Sequence, residues 1–142
     1  MMEKEVNLKK FCLHVFTDET GNVISMWSFA WGFTNGRAIV QDFNGKWGLI
    51  DRYGNILAPC QWQHTILFRE GLAAVQDDNG KWGYINTKGE LVIPCIWNKT
   101  YKFIKGRASV QDANGKWGYI IWFYGPTVWH IGLYNDIVDK SV

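Results

Sequence analysis

The stretch NGKWG occupies residues 44–48 and returns at 79–83 and 114–118, so each copy follows the previous one after 35 residues. The identity is wider than these five residues, because the segment 36–50 and its two counterparts agree at 11 of 15 positions. Self-similarity at a fixed period is the mark of a protein built from stacked structural units. The repeat therefore decides the fold before local structure is considered.

The second part of each unit preserves turn residues and aromatic positions, while its other residues drift. Earlier in the chain, residues 21–24 match 54–57, and Phe29 stands at the place of Trp62. We therefore predict that the array begins with a half repeat. The pairs that the two full units share in their second part include Gly54/Gly89, Pro59/Pro94, Cys60/Cys95, Trp62/Trp97, Thr65/Thr100 and Phe68/Phe103.

A chain of 142 residues has the size of one domain and can bury a core without a metal or a disulfide. We predict a single repeat domain over 1–142. It consists of an N-terminal half repeat, two full repeats, the hairpin of a third repeat and a divergent C-terminal cap. In that order these segments span 11–35, 36–70, 71–105, 106–120 and 121–142.

Each repeated segment is typical of a β-hairpin, because two stretches suited to strands flank an Asn-Gly pair. A type I′ turn at Asn44 and Gly45 places Asp42 opposite Trp47 in the predicted pairing. A second turn then leads into a short apolar run, which we predict to be a third strand. Proline cannot donate to a ladder, so Pro59 is expected to mark the end of this strand or an unpaired edge.

The predicted fold class is all-β, with tandem 35-residue β-meanders that each consist of a hairpin plus a third strand. We expect the meanders to form an open stacked or spiral array with terminal caps. Aromatic residues such as Trp62 and Phe68 are expected to fill the space between one meander and the next. A closed pseudo-threefold barrel or a propeller-like arrangement is the alternative, since three near-units invite closure.

Composition excludes several classes of protein. A charged fraction of 20%, a hydrophobic fraction of 47% and the lack of a long apolar stretch are typical of a soluble globular chain. A formal net charge of +2 gives no strong basic field, so a nucleic-acid partner is not expected. The first residues show no secretory signal, and we expect a cytoplasmic location without membrane contact.

Three cysteines without a C-x-x-C pair and three histidines without metal or triad spacing form no zinc or catalytic motif. We therefore predict a non-enzyme with no catalytic residue, no metal and no cofactor. Cys60 and Cys95 both follow a proline at the repeat spacing. We interpret them as two buried thiols, with a disulfide in an oxidising compartment as the alternative.

Two rows of charged residues recur with the repeat. The carboxylates are candidates for a cation such as calcium, but an aspartate beside a tight turn more often accepts a backbone or indole N–H hydrogen bond. The lysines are candidate contacts for a phosphate or an acidic partner, or else solvated turn residues. The rows are Asp42, Asp77 and Asp112, and Lys46, Lys81 and Lys116.

The tryptophans and glycines of the repeated core are interpreted as structural. Glycine weakens a strand, so its recurrence indicates that something comes close to the backbone there, and an aromatic ring such as Trp62 or Phe68 is the expected neighbour. We expect the indole rings to be sunk between adjacent units. These structural residues are Trp47, Trp82, Trp117, Gly48, Gly83 and Gly118.

The recurring Gly-Arg-Ala-x-Val and Asn-Gly-Lys-Trp-Gly-x-Ile, a following glycine, an apolar residue before proline and a trailing aromatic residue resemble the WG-containing (KWG) repeat of bacterial proteins. The resemblance covers residues 11–120. It implies an all-β repeat domain that acts as a binding or interaction module and not as an enzyme. It brings no catalytic residues to carry over.

The pattern breaks after Ile120, where Ile121 stands in place of an Asp or Asn and an unusually apolar segment follows. Repeat arrays need terminal units that differ from the interior ones, so we predict that this segment is a cap. The alternative is a homodimer in which Trp122, Phe123 and Trp129 bury against a second copy.

The leading functional hypothesis is a non-enzymatic protein–protein interaction module, such as a small adaptor or inhibitor. A glycan-binding module with exposed tryptophans is the alternative, and a single-stranded nucleic-acid binder is a further one that the near-neutral charge disfavours. The interaction module would present the variable positions 39/74/109 and 43/78/113, among them Phe43 and Asp78, together with the loop residues His64, Lys99 and Lys102.

Overall fold

The computed structural model describes the backbone of residues 2–8, 11–122, 128–133 and 136–141, and the side chains of residues 15–122. Within these ranges the chain consists of strands joined by turns. In the same residues there is no helix with the length and apolarity that crossing a membrane requires.

Sixteen strands follow one another in the described residues, and three of them have only two residues. The first eight are β1 (Met2–Leu8), β2 (Phe11–Thr17), β3 (Val23–Trp27), β4 (Phe29–Ala30), β5 (Arg37–Gln41), β6 (Trp47–Asp51), β7 (Ile56–Trp62) and β8 (His64–Thr65). The second eight are β9 (Leu72–Gln76), β10 (Trp82–Asn86), β11 (Leu91–Trp97), β12 (Lys99–Thr100), β13 (Arg107–Gln111), β14 (Trp117–Trp122), β15 (Val128–Leu133) and β16 (Asp136–Ser141).

The strands form four antiparallel sheets, and within each sheet every strand pairs with its neighbour in the chain. The orders are β1-β2-β3, β4-β5-β6-β7, β8-β9-β10-β11 and β12-β13-β14-β15-β16. Each sheet has two edges, and none of them closes into a barrel in the part of the chain that the structure describes. The predicted all-β fold of open tandem meanders is therefore confirmed, and the closed threefold barrel is not formed.

The chain divides into two compact units, residues 1–63 and residues 64–142. The first unit holds the sheet β1–β3 and the sheet β4–β7. The second unit holds the sheet β8–β11 and the sheet β12–β16. Each unit thus consists of two meanders.

A four-stranded meander begins earlier in the chain than the sequence repeat does. The short strand β8 lies in the link after one hairpin, yet it pairs with the next hairpin, with His64 opposite Gln76 and Thr65 opposite Val75. Strands β4 and β12 pair with β5 and β13 in the same way. The link that the sequence presents as an aromatic filler therefore also contains the first strand of the following sheet.

The hairpin turn differs from the predicted one by one residue of register. Gln41, and not Asp42, lies opposite Trp47. Asp42 N donates to Lys46 O at 2.9 Å and Gly45 N donates to Asp42 O at 3.1 Å, so the loop between Asp42 and Lys46 is a three-residue loop. Gly45 has a φ of 82°, but the residue before it has no positive φ. The predicted type I′ turn is wrong, because Asn-Gly also suits a type I turn followed by a glycine bulge.

The third strand continues past its proline. Strand β7 runs from Ile56 to Trp62, with Pro59 exposed inside it. Its pairing with β6 shifts register twice between the pair Trp47 with Trp62 and the pair Ile50 with Ile56. Pro59 therefore lies in a bulge of an edge strand, where a missing N–H is tolerated. The expected edge position is observed, whereas the expected strand end at the proline is wrong.

The N-terminal half repeat has a shorter third strand than the full repeats. Strand β3 has five residues and ends at Trp27, whereas β7 has seven residues and ends at Trp62. Phe29 begins β4 and pairs with Gln41. Trp27 is therefore the counterpart of Trp62, and the predicted equivalence of Phe29 with Trp62 is wrong. The sequence comparison missed the difference in strand length because it assumed a constant spacing.

Each unit has its own apolar core. In the second unit, the rings of Tyr84 and Phe103 meet edge-on at 5.0 Å and 74°, in a core to which both sheets contribute side chains. The core of the first unit contains Phe16, Ala30, Ala38, Val40 and Ile50. The core of the second unit contains Leu72, Ala74, Tyr84, Ile93, Trp97, Phe103, Ala108, Val110 and Ile120.

The predicted C-terminal cap, residues 121–142, extends the last sheet in the described residues. Strand β15 pairs with β14 without a register shift, from Gly118 opposite Leu133 to Trp122 opposite Trp129, and β16 pairs with β15. Trp122 is half-buried and packs against the core of the second unit. Phe123 and the side chain of Trp129 lie outside the described residues, so the dimer surface stays a prediction.

Candidate binding surface

Two of the three glycines of the repeated core, Gly48 and Gly83, lie where the neighbouring strand comes closest. A Cβ at Gly83 would stand 2.4 Å from the backbone oxygen of Ile93 and 2.9 Å from Cys95 Sγ. Gly48 has equivalent surroundings on β7, with the nearest backbone oxygen at 2.6 Å. The neighbour is thus the bulged third strand with its cysteine. The prediction that an aromatic ring such as Trp62 fills this place is wrong.

The tryptophans of the repeated core are half-buried. Trp82 packs against the core of the second unit, and Trp47 meets the ring of Phe29 edge-on at 5.9 Å. Trp117 stacks on Tyr101 at 5.8 Å and 28°. These indoles therefore line packing surfaces without being enclosed. The buried tryptophans end β7 and β11, and they are Trp62 at 8% exposure and Trp97 at 4%.

The three repeated aspartates close their own hairpin turns. Oδ1 of Asp42 accepts hydrogen bonds from the backbone N–H groups of Asn44 and Lys46, both at 2.9 Å. Asp77 and Asp112 accept the equivalent pairs at 2.9 to 3.0 Å. Across the described residues, no group of three or more His, Cys, Asp and Glu side chains is placed to hold a metal ion. These carboxylates therefore stabilise the backbone of their own loops.

The three repeated lysines have unequal surroundings. The Nζ atom of Lys81 donates to Oδ1 of Asn98. Lys46 is half-buried, and Lys116 is exposed. The row therefore does not present three equivalent ammonium groups to a partner.

The remaining predicted binding residues are exposed, but they belong to different elements. Phe43 lies in the hairpin loop of the first unit, and Asp78 lies in the corresponding loop of the second unit. His64 begins β8, Lys99 begins β12, and Lys102 follows in the link before β13. Lys102 lines an open groove.

The variable position 39/74/109 changes its environment along the chain. Ile39 and Ala74 are buried, whereas Ser109 is exposed. The expectation that this position is partly exposed in every copy is wrong. Ala74 belongs to the core shared by the two sheets of the second unit, so its side chain is covered by the following meander.

Cys60 and Cys95 are free thiols, one in each unit. Burial raises the pKa of each thiol to about 11, so both carry their proton at neutral pH. Cys95 Sγ lies 3.9 Å from Val75 O, within reach of a weak S–H hydrogen bond. Both side chains contribute to the packing beneath the bulged strands.

The two meanders of the second unit meet through a face of β9 and β10. The side chains of Leu72, Ala74 and Tyr84 enter the shared core from this face. The hydroxyl of Tyr84 donates to the backbone oxygen of Tyr101 at 2.7 Å. Burial raises the pKa of Tyr84 far above its usual range, which keeps the donor proton in place. The interface between meanders thus combines apolar burial with a hydrogen bond.

In the described residues, the corresponding face of the next meander is left partly uncovered. Arg107 and Ser109 stand 35 residues after Leu72 and Ala74, and both are exposed where their counterparts are buried. The cross-strand pairing places Ser109 opposite Tyr119, on the side of the sheet turned away from the core. We name this surface the outer face; its residues are Tyr101, Ile104, Arg107, Ser109 and Tyr119.

An open groove of about 570 Å³ lies along the outer face. Tyr101 and Ile104 line it, and they are 58% and 56% exposed. Lys102, Lys105 and Arg107 also line it and bring three positive charges. The groove therefore combines apolar side chains with charge of a single sign.

The guanidinium of Arg107 lies over the ring of Tyr119. The guanidinium carbon of Arg107 lies 5.2 Å from the centre of the Tyr119 ring. This distance is that of a cation–π contact, which leaves the N–H groups at the edge of the guanidinium able to bind a carboxylate. Arg107 therefore offers its guanidinium N–H groups beside the groove.

Sequence reasoning included Lys102 among the candidates but missed the groove as a unit. The signal lies in two replacements between copies, Leu72 by Arg107 and Ala74 by Ser109. The two positions hold Arg37 and Ile39 in the first copy, apolar residues that pack between sheets in the second, and polar residues in the third. Such a change can be interpreted only when it is known which face of the sheet each residue occupies. The predicted pairing of the hairpin strands was shifted by one residue, so these faces were not known from the sequence.

A family model agrees with this architecture. The family model described as WG containing repeat matches the chain three times, at residues 18–47, 47–82 and 82–117. A search of curated proteins gave no match. Among solved structures, the chain is similar to the crystal structure of the computationally designed Ika8 protein, with a TM-score of 0.43, 9% sequence identity and 97% of this chain covered.

The alignment with the designed protein covers 57% of that protein, so the chain spans little more than half of its length. The family matches run consecutively from residue 18 to residue 117, and their boundaries at 47 and 82 fall on tryptophans of the repeated core. The same residues form the repeated hairpins and bulged third strands of the fold. The chain therefore belongs to the WG containing repeat family.

Proposed function

We propose that this chain is a non-enzymatic protein-binding module and that its contact surface is the outer face. The supporting observation is the contrast between Leu72 and Ala74, which are buried in the core of the second unit, and their exposed counterparts Arg107 and Ser109. A face that receives another surface in one meander is left open in the next. Open apolar patches with polar neighbours are typical of protein-binding sites.

The composition of the outer face suits a protein partner. Tyrosine, arginine and large aliphatic residues are enriched among the residues that contribute most to protein interfaces. Tyr101, Ile104 and Arg107 supply one of each kind within a single groove. Tyr101 is held by its stacking on Trp117, so little conformational entropy is lost when a partner binds.

The repeated polar residues support a scaffold role beneath this surface. Asp42, Asp77 and Asp112 accept hydrogen bonds inside their own turns. The hairpins therefore hold themselves in shape and leave recognition to the residues that differ between copies. In this proposal the chain acts as a small adaptor or inhibitor in the cytoplasm.

Glycan binding is the alternative, and it depends on exposed tryptophans. Among the tryptophans of residues 15–122, Trp31 is the exposed one, while those of the repeated core are half-buried. A single exposed indole gives one stacking platform and not the row that an extended sugar chain would need. The geometry therefore gives less support to this alternative than to a protein partner.

Affinity capture from a lysate, followed by mass spectrometry, tests the proposal. Wild type is compared with a double variant of the outer face, Tyr101→Ala with Ile104→Ala. A matched control removes another exposed tyrosine and isoleucine, Tyr53→Ala with Ile56→Ala. We expect proteins that are recovered with wild type and control and lost with the outer-face variant.

Two results would contradict the proposal. The same proteins recovered with all three forms would show that the outer face is not the contact surface. Recovery of no protein, together with retention of the wild type on a polysaccharide column, would favour the glycan-binding alternative. Circular dichroism of each variant confirms beforehand that the β fold is retained.

A further inference from the structure

We infer that the groove of the outer face binds an acidic polypeptide segment. The carboxylates of this segment pair with Lys102, Lys105 and Arg107, and an apolar side chain of the segment packs on Tyr101 and Ile104. This inference rests on the proposed function and specifies the chemistry of the partner.

The side chains that line the groove carry charge of one sign, while the carboxylate of Glu70 accepts the backbone N–H of Gly106, between Lys105 and Arg107, at 3.1 and 3.2 Å. The described residues that line it include three cations and no carboxylate. Complementary charge increases the rate of encounter and selects among partners, although each exposed ion pair adds only about 0.2 to 1 kcal/mol. The cations therefore determine which segment enters the groove, and the apolar residues supply much of the affinity.

Tyr101 and Ile104 form an exposed apolar surface in the groove, on which a side chain of the partner can pack. Tyr101 uses one face of its ring to stack on Trp117 and remains 58% exposed. Ile104 lies beside it and is 56% exposed. An aliphatic or aromatic side chain placed across these two residues would remove apolar surface from water on both molecules.

Stacking of a further meander on the outer face is a weaker explanation of this surface. The face that receives a meander inside the second unit offers Leu72 and Ala74. On the outer face the same positions hold Arg107 and Ser109. Covering a guanidinium with an apolar sheet face costs free energy unless a carboxylate comes with it. The substitutions therefore favour a partner that brings its own negative charge.

A nucleic acid would also bring negative charge, but the groove offers little to a phosphate backbone. Nucleic-acid binders carry basic stripes that follow several successive phosphates. Here the three cations are confined to residues 102–107 around one groove, and the formal net charge of the chain is only +2. A short acidic peptide matches this extent better.

Selection from a phage-displayed library of random short peptides tests the inference. Phage are selected on the wild-type protein and depleted on the variant Arg107→Leu, which carries the residue found at the equivalent position Leu72. We expect enriched sequences with several Asp or Glu residues around one large apolar residue. Their affinity for Arg107→Leu should be about two- to fivefold weaker than their affinity for wild type, and their affinity for wild type should fall as the salt concentration rises.

The control variant is Arg52→Leu. Arg52 is exposed and lies 5.9 Å from the ring centre of Tyr53, so it matches the arginine–tyrosine pair of the outer face. We expect the selected peptides to bind Arg52→Leu as tightly as wild type. Equal loss of binding in both variants would show a general effect of charge and would overturn the assignment to this groove.

Other outcomes would also overturn the inference. Enrichment of neutral or basic peptides, or no enrichment over the depleted variant, would exclude an acidic segment. Binding of a labelled oligothymidine that is lost in Arg107→Leu, without any acidic peptide, would assign the groove to nucleic acid. Concentration-dependent dimerisation that is lost in Tyr101→Ala would assign it to a second copy.

The two proposals fail in different ways. If lysate capture depends on Tyr101 and Ile104 but no acidic peptide is selected, the protein-binding function stands and the acidic partner is wrong. If capture is the same for all variants while acidic peptides bind the groove, the groove is an acidic-peptide site without being the main contact surface.

Discussion

The N-terminal meander and the full meanders differ in the residue of their second hairpin strand that faces the third strand. In β6 and β10 the residue after the tryptophan is a glycine, Gly48 or Gly83, and the third strand bulges over it. In β2 the corresponding position is Val15, which is buried and lies opposite Met26. Its partner β3 has five residues where β7 and β11 have seven.

The difference teaches that the glycine of the Trp-Gly pair belongs to the bulge of the neighbouring strand. Where the bulge is present, the carbonyl of the third strand occupies the place of a Cβ. In the N-terminal meander the third strand is shorter, and the branched side chain of Val15 occupies the same register position and is buried. The glycine, the proline and the cysteine of the full repeats are thus parts of one local structure.

The largest expected effect comes from placing the valine of the N-terminal meander at the glycine position of a full repeat. Gly83→Val places a branched side chain where a backbone oxygen would lie 2.4 Å from Cβ, so β10 and β11 must separate. We expect a loss of about 4 kcal/mol or more in the free energy of unfolding, because backbone atoms cannot move aside cheaply. Urea denaturation followed by tryptophan fluorescence measures this loss.

Gly71→Ala provides the matched control for this change. Gly71 has a φ of 80°, and no atom lies within 4 Å of the place that a Cβ would take, so alanine there meets backbone strain without a clash. We expect a loss of about 1 kcal/mol. A cost for Gly83→Val no larger than that for Gly71→Ala would contradict the view that the bulge requires glycine.

The reverse exchange has a smaller expected effect. Val15→Gly removes a buried side chain from β2 and raises the conformational entropy of the unfolded chain. We expect a loss of about 2 to 3 kcal/mol, since β3 pairs regularly beside Val15 and shifts register only after Phe16, so no bulge fills the space. The same denaturation experiment measures it, with the exposed Val23→Gly as control. A neutral Val15→Gly would mean that β3 adjusts its register as β7 does.

The smallest expected effect concerns the thiols that lie over the glycines. Burial raises the pKa of Cys60 and Cys95 from 9.0 to about 11. Because the native state holds these protons more tightly, their contribution to stability is present below pH 9 and is lost as the pH rises towards 11. Because both thiols are half-exposed, this contribution to stability is small, and the rate of thiol labelling is the more sensitive measurement.

Iodoacetamide labelling with site-resolved mass spectrometry tests the thiols. At pH 8 we expect both native cysteines to react much more slowly than in urea, because little thiolate is present. The labelling rate should rise steeply above pH 9 as the thiolate forms. Fast native labelling at pH 8 would show that the bulged strands do not cover the sulfur atoms.

Much of the fold could be predicted from the sequence, because hairpins form between residues close in the chain. The segment 36–50 and its copies carry strand residues on both sides of a turn, and the structure has strands there. The two-residue strand β8 was missed because His64 and Thr65 are too few to show a period. The predicted type I′ turn was wrong because Asn-Gly suits two turn types, and this error shifted the pairing of the two hairpin strands by one residue.

The candidate site was harder to predict than the fold. Lys102 was named from its place in a loop, but the groove needs Tyr101, Ile104 and Arg107 as well. These residues come from a link and from strand β13, and they meet only when the sheet forms. No pattern along the chain distinguishes Arg107 from an ordinary solvated arginine.

By itself the sequence determined the number of copies, the all-β class and the places of the hairpins, because turn residues and strand preference act over short stretches of chain. Only the tertiary structure decided which face of each sheet is covered. Leu72 and Arg107 hold the same place in the repeat, yet one is buried and the other is exposed. The physical reason is that burial depends on what packs against a sheet, and that is a property of distant residues.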